Sequence, residues 1–313
     1  MRSLTGCRSI RTGLLTLVLT ATPLALEAQG NSLPYANFEA SQTNPIRLSA
    51  DQTRLFAVNT ANSSVSVFDV TTPSSPSLIV EIPVGLGPVS VNPLTDDVAW
   101  VVNQISNSIS VISVAKGIVT NTIYLKLPTN AGLSAGEPMD VVFANGLAYV
   151  SVSRAHQIAV LSATTGVLAQ AIEVFGDSPR AMAVSPDGST IYAALALAGN
   201  GTTLIPNTIA PAQCGTSGQP QCVPPMNPDL PPPPIAGLIV NFNNTTWNPS
   251  FIKFSMPQNG VVAITPGSSS NKVSYYSQVG TVNLGLAVNP TTGDIWRFRG
   301  FHFTLSALPF VPN

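Results

Sequence analysis

A chain of 313 residues with 44% hydrophobic content can bury a sizeable core and is too apolar for a disordered polymer. Charged residues make up only 9%, against a usual share of about a quarter, and the formal net charge is −1, so no basic footprint for nucleic acid remains once the amino-terminal arginines are set aside. With so few Lys and Glu, solubility falls to Ser, Thr, Asn and Gln, a surface that suits strands better than helices.

The first predicted element is a targeting segment. Arg2, Arg8 and Arg11 precede an apolar run from Leu14 to Leu26, interrupted by Pro23 and followed by Glu27 and Ala28. This order predicts a secretory signal peptide over residues 1–28. The run is well short of the roughly 20 residues that span a bilayer. Cys7 lies upstream of it and leaves with the peptide. The mature chain is therefore expected to be secreted, or held in the periplasm or cell envelope, with no membrane span.

Residues 29–313 read as one repeat domain. An aromatic followed by small or β-branched residues recurs in Phe56-Ala57-Val58-Asn59, Trp100-Val101-Val102-Asn103, Tyr149-Val150-Ser151-Val152 and Tyr192-Ala193-Ala194-Leu195. Successive anchors are 44, 49 and 43 residues apart, and Trp296 follows 104 later. A period of about 40–50 with several short strands per unit marks propeller blades rather than a helical solenoid. Each anchor is preceded by an apolar strand (Ile46–Ser49, Val89–Asn92, Asp140–Phe143, Met182–Ser185) and a turn, with Asn145-Gly146 and Pro186-Asp187-Gly188 suited to hairpins. A third strand alternates in Val65–Phe68, Ile109–Ile112 and Ile158–Leu161. A fourth follows in Ser77–Val84, Val119–Leu125 and Val167–Val174, before Gly and Pro lead into the next unit. The predicted fold is all-β: a β-propeller of four-stranded antiparallel blades over about 37–87, 88–137, 138–179 and 180–280, with the start of a fifth at 281–313.

The aromatic-Val-x-Asn anchor followed by Ser-x-Ser-Val strands, in Phe56–Asp69 and Trp100–Ser113, resembles the YVTN family of secreted bacterial β-propellers. The resemblance is fullest in the first two blades and extends over residues 37–200 and 279–296; Val152 and Leu195 stand where the anchor asparagine belongs. It implies an exported repeat scaffold. Because some proteins of this type continue into c-type haem segments, it also implies an alternative, the propeller portion of a longer haem redox enzyme. No Cys-x-x-Cys-His occurs in this chain.

From about residue 199 to 237 the fourth blade is interrupted by a Pro-rich insertion that includes Pro231–Pro234 and lacks the amide donors a sheet interior needs. It holds Cys214 and Cys222, a pair predicted to close a short loop as one disulfide, stabilising by ~2–3 kcal/mol in the loop-entropy model. Strand patterning resumes at Leu238–Phe242, Val261–Ile264 and Val273–Gln278, and these complete the blade. After Trp296 the expected Val-x-Asn gives way to Arg297-Phe298-Arg299-Gly300. Four blades and part of a fifth predict an open or incomplete ring, as in a truncated or frame-altered copy of a longer protein, with edges that favour self-association; the alternative is a compact small propeller.

No nucleophile elbow, phosphate loop or metal-ligand spacing is legible, so no catalytic set, metal or cofactor is expected. Ser63, Asn107 and His156 each stand two residues before a third strand, where a left-handed backbone is often needed, which makes His156 a turn residue first. The candidate site is the mouth where fourth-to-first connections and second-to-third hairpins open together. It gathers Arg47, Asp140, Arg154, His156 and Arg180, with Glu137 and Asp177 as either ligand contacts or ordinary loop ion-pair partners. The expected function is a binding or interaction scaffold rather than an enzyme, its partner a protein, a glycan or a small polar ligand at that mouth.

Overall fold

The structure, a computed structural model, describes residues 42–129, 132–134, 136–206, 237–241, 257–267, 270–299 and 306–308. The signal peptide and the Cys214–Cys222 pair expected from the sequence lie outside the described residues.

Short runs of Val, Ile, Ala and Ser separated by turn residues fold into antiparallel sheets of one plan. The first blade holds β1 (Ile46–Leu48), β2 (Arg54–Asn59), β3 (Ser64–Asp69) and β4 (Ser77–Pro83), hydrogen-bonded in that order. The second holds β5 (Pro88–Pro93), β6 (Val98–Asn103), β7 (Ser108–Ser113) and β8 (Ile118–Tyr124). A small ribbon of β9 (Leu127–Thr129) and β10 (Gly132–Ser134), which the repeat pattern does not announce, precedes the third blade. That blade is β11 (Pro138–Ala144), β12 (Leu147–Val152), β13 (Gln157–Ser162) and β14 (Leu168–Glu173). The fourth begins with β15 (Asp177–Val184) and β16 (Ile191–Leu197). It is then interrupted by the ribbon of β17 (Thr202–Pro206) and β18 (Gly237–Asn241), and finished by β19 (Asn259–Thr265) and β20 (Lys272–Ser277). A three-stranded sheet of β21 (Asn283–Val288), β22 (Ile295–Arg299) and β23 (Ser306–Leu308) makes the fifth.

The predicted all-β blade architecture is therefore what the chain adopts. One strand is placed differently: Leu238–Asn241 does not complete the fourth blade but pairs with Thr202–Pro206, because β16 already takes β19 as its partner through Ile191 to Ala194. Among the described residues no strand pairing joins the first sheet to the fifth.

The anchor aromatics set a common level. Each lies on the second strand of its blade and faces one residue of the inner strand: Phe56 faces Arg47, Trp100 faces Asn92, Tyr149 faces Val142, Tyr192 faces Ala183 and Trp296 faces Ala287. Strand alternation then sends successive side chains to opposite faces, and the facing sides of consecutive blades pack on each other. Trp100 meets Phe143 of the third blade edge-on, ring centroids 5.4 Å apart at 89°, a geometry that adds ~0.5–1.5 kcal/mol to the area both rings bury.

The asparagine of the repeat also has a physical role. Asn103 is fully buried at the end of β6, and its amide donates to Ser108 Oγ at 3.3 Å and Ser110 Oγ at 3.0 Å. The Ser-x-Ser that follows the anchor is thus its hydrogen-bond complement across the hairpin. In the third and fourth blades Val152 and Leu195 fill the same position with apolar contact. The loop glycine leading into the next blade lies directly over this residue, Gly85 over Asn103, Gly136 over Val152 and Gly176 over Leu195, where a Cβ would come within 2.6, 2.1 and 2.3 Å respectively.

Candidate functional site

Two charged side chains of the inner strands come together, Asp140 on β11 and Arg47 on β1. Asp140 is wholly buried. Its carboxylate accepts from Ser90 Oγ at 2.5 Å, from the Met182 amide at 2.7 Å, from the Val141 amide at 2.9 Å, and from Asn44 Nδ2. Its acceptors are therefore engaged by the first, second, third and fourth blades in turn. Burial pushes the Asp140 carboxyl above the usual carboxylate range, while the Ser90 hydroxyl, the Met182 amide, the Arg47 charge and Asn44 pull the other way.

The donors are brought in by register. Pro88 and Pro138 each open an inner strand, and Ser90 and Asp140 each follow the proline by two residues. Asn44 reaches the same level because the segment before β1 runs parallel to β5: Thr43 N–H donates to Val89 O at 2.8 Å and Val91 N–H to Asn44 O at 3.1 Å. Ser90 and Asn44 are functional neighbours that sequence reasoning missed. The equal offset of Ser90 and Asp140 from their prolines was the available signal for the first, whereas the parallel pairing that delivers Asn44 has no local signature.

Arg47 stands two residues further along the inner strand than Asp140 does, at the level of the anchor aromatics. All five residues of that level, Arg47, Asn92, Val142, Ala183 and Ala287, line one cavity of about 330 Å³ between the inner strands. Asn92 is committed, its Nδ2 donating to Val141 O at 2.8 Å. The Arg47 Nε–H is buried and meets no hydrogen-bond acceptor among the described residues. A guanidinium in this state has room for a further acceptor, and its planar fork suits a carboxylate or phosphate.

The lining of the cavity extends, through Pro93, Val184 and Val288, toward the end of the inner strands where the first-to-second turns lie. There Asp51 and Asp187 are held down to about 2, the first by Ser49 Oγ–H, the Thr53 amide and the Thr53 hydroxyl, the second by Ser185 Oγ–H and the Ser189 amide and hydroxyl. These exposed carboxylates are saturated by their own turns, Thr53 donating at 3.0 and 2.7 Å and Ser189 likewise.

Arg154 and His156 lie at the opposite end, in the hairpin between β12 and β13. That hairpin does sit beside a fourth-to-first connection, with Ser153 N–H on Glu137 O and Arg154 N–H on Gly136 O, both at 2.9 Å. Arg154 reaches Glu137 at 3.7 Å and His156 Nδ1 lies 3.5 Å from Asp177. Ser63, Asn107 and His156 adopt φ of 53°, 49° and 52°, the left-handed turn conformation expected of them. Asn107 bonds Leu125 O and the Gly136 amide, and His156 Nδ1 accepts from the Ser178 amide at 3.5 Å, so each ties its hairpin to the loop leading into the next blade. Arg180 lies in the bulge of β15 between Pro179 and Met182, mostly buried, and its carbonyl accepts from Ser151 Oγ at 2.5 Å. The five sequence-picked residues thus divide: Arg47 and Asp140 interact, Arg180 flanks them on the fourth inner strand, and Arg154 and His156 stand apart at the hairpin end. Among the described residues no group of three or more His, Cys, Asp or Glu is placed to hold a metal ion.

No family model matches this chain, and no curated protein matches it either. Solved structures do. Hydrazine synthase from Kuenenia stuttgartiensis is 17% identical with a TM-score of 0.51, over 81% of this chain and 60% of that one. A functionally unknown protein from Desulfotomaculum acetoxidans is 12% identical with a TM-score of 0.51, over 85% and 69%. The chain thus spans 60% of the hydrazine synthase chain it matches. At these identities the likeness shows the fold, a β-propeller, and the fold alone.

Proposed function

We propose that this chain is an exported, non-enzymatic β-propeller of the YVTN type that binds a small anionic ligand in the cavity between its inner strands, with Arg47 as the anion contact. The observation that carries this reading is the buried Arg47 Nε–H, without an acceptor among the described residues, in the wall of a cavity that all five inner strands share. Asp140 supports the role from behind: its charge is engaged by four donors, so it restrains Arg47 electrostatically without capping it. The hydrogen bonds of Asn103 to Ser108 and Ser110 support the YVTN assignment by giving the aromatic-Val-x-Asn and Ser-x-Ser pattern one structural purpose. Export rests on the arginines and apolar run of residues 1–28.

Titration calorimetry with inorganic phosphate, citrate and glutamate at low ionic strength tests the site. Binding of one of them that weakens with added salt, and weakens at least tenfold in Arg47→Gln, is the expected result. Absence of binding by all three, or binding that Arg47→Gln leaves unchanged, overturns it.

A further inference from the structure

Each inner strand pairs with its own second strand on one side and turns a free edge toward the cavity. Along an antiparallel pair, residues alternate between those that exchange hydrogen bonds with the partner strand and those whose N–H and C=O point away from it. Val141 and Met182 are of the second kind. Their N–H groups leave the ladders of β11 and β15 and meet at one carboxylate, Val141 on Asp140 Oδ1 at 2.9 Å and Met182 on Asp140 Oδ2 at 2.7 Å. Phe143 and Val184 stand two residues further along the same strands. The register runs without a shift from Asp140 to Ala144 and from Met182 to Val184, so the N–H groups of Phe143 and Val184 face the same free edge. Both residues line the cavity.

Two successive levels of the inner strands thus present one set of donors. At the lower level the acceptor is built in: Asp140 bridges the third and fourth blades, one oxygen to each, and the Arg47 charge bears on it. At the upper level the residue two positions on from Asp140 is Val142, and the lining of the cavity includes no Asp or Glu. Arg47 lines this level too.

We infer that the ligand of this cavity is a small carboxylate, one oxygen accepting from the Phe143 N–H, the other from the Val184 N–H, with the Arg47 guanidinium beside them, in the arrangement that already holds Asp140. This rests on the reading of Arg47 as an anion contact and adds the class of anion. A phosphate suits the frame less well. Arg47 is the one charged residue of the lining, and the free edges that offer the two N–H groups also carry the Phe143 and Val184 carbonyls, which repel further anionic oxygens.

A proline in place of Val184 removes one of the two donors. The position accepts it, because Pro93 already holds the same level of the second blade opposite Ala99, where no ladder bond needs an N–H. Titration calorimetry of the full chain with acetate, glutamate, citrate, phosphate and sulfate at one ionic strength tests the inference. At least one carboxylate is expected to bind at least tenfold more tightly than phosphate and sulfate, and at least tenfold more weakly to Val184→Pro than to Val184→Ala, which keeps the donor. Phosphate or sulfate binding as tightly as the best carboxylate, and lost in Arg47→Gln, overturns the carboxylate assignment and leaves the Arg47 site standing. Binding by none of the five overturns both. Carboxylate binding that is equal in the two Val184 variants overturns the backbone placement. Should Val184→Pro fail to fold, amide proton shifts of the wild type replace it. Saturable downfield shifts at Phe143 and Val184 on titration with the tightest carboxylate support the placement, and their absence at both residues refutes it.

Discussion

Asp140 and His156 are both polar residues of the third blade, and the chain uses them in opposite ways. Around Asp140, four donors converge on one carboxylate in a site closed to water, and removing any participant leaves a buried group unmet. Around His156 the contacts are single, long and open to solvent, and what the position demands is a backbone conformation. Two side chains of similar appearance in the sequence thus differ in what they hold: one ties successive blades together, and the other lets a hairpin turn.

Substitution at the hub breaks the comparison most sharply. Asp140→Ala strands the Ser90 hydroxyl, the Met182 and Val141 amides and the Asn44 amide at once, with an expected cost of ~3–5 kcal/mol read as a lower urea midpoint. The pH dependence has a sign of its own. Because burial raises the folded carboxyl above its unfolded value, the folded state holds this proton more tightly, and stability from Asp140 falls as pH rises from about 4 through the raised folded value. Asp51 and Asp187 act oppositely: their contribution is present above about 4 and is lost as pH falls toward about 2. Thermal melts against pH should therefore lose their upper slope in Asp140→Asn and keep their lower one; a wild-type slope in that variant would contradict the assignment.

A smaller effect is expected where the loop glycines cross the anchor-plus-three residues. A Cβ at Gly136 would stand 2.1 Å from Cγ1 of Val152, which is buried and, being β-branched, stiff at χ1. Gly136→Ala should cost ~1–3 kcal/mol by overpacking, and Val152→Ala in the same chain should recover part of it. Additive losses in the double variant would place the cost elsewhere.

His156→Val should come next, at ~1–2 kcal/mol in a thermal melt, since a β-branched residue is poorly tolerated at φ 52°. His156→Asn should be nearly neutral, because Asn107 holds the equivalent turn of the second blade at φ 49°. Equal losses in both variants would mean that the imidazole, and not the backbone, is what the site uses.

The blades were legible because their signals are local: an aromatic anchor, a period-two strand and a Gly-Pro approach recur within each unit, and the turn role of His156 followed from its place before a third strand. The hub was half legible. Asp140 could be picked out as a charge on an inner strand, but three of its four donors come from residues 42 to 96 positions away in the chain, and no window of sequence contains them. The strand Gly237–Asn241 misled for the opposite reason, since its apolar alternation is as good as that of β19 and only the choice made by β16 separates them. Grouping Arg154 with Arg47 rested on assigning both to loops that open at one mouth, whereas Arg47 lies within β1. Which end of an inner strand a residue occupies depends on register, which the loop pattern of the sequence does not fix.

The least effect is expected at Arg154, and its smallness is what gives the test value. The pair with Glu137 spans 3.7 Å with side chains 71% and 43% exposed, so water and salt screen most of its energy and the long arginine loses rotamer freedom to hold it. Arg154→Ala should change stability by ~0–1 kcal/mol. Because the hairpin lies at the far end of the inner strands from the cavity, the same variant should bind phosphate or citrate as the wild type does, while Arg47→Gln does not. A loss of anion binding in Arg154→Ala equal to that in Arg47→Gln would move the ligand from the cavity to the hairpin end, and with it the whole division between the two regions.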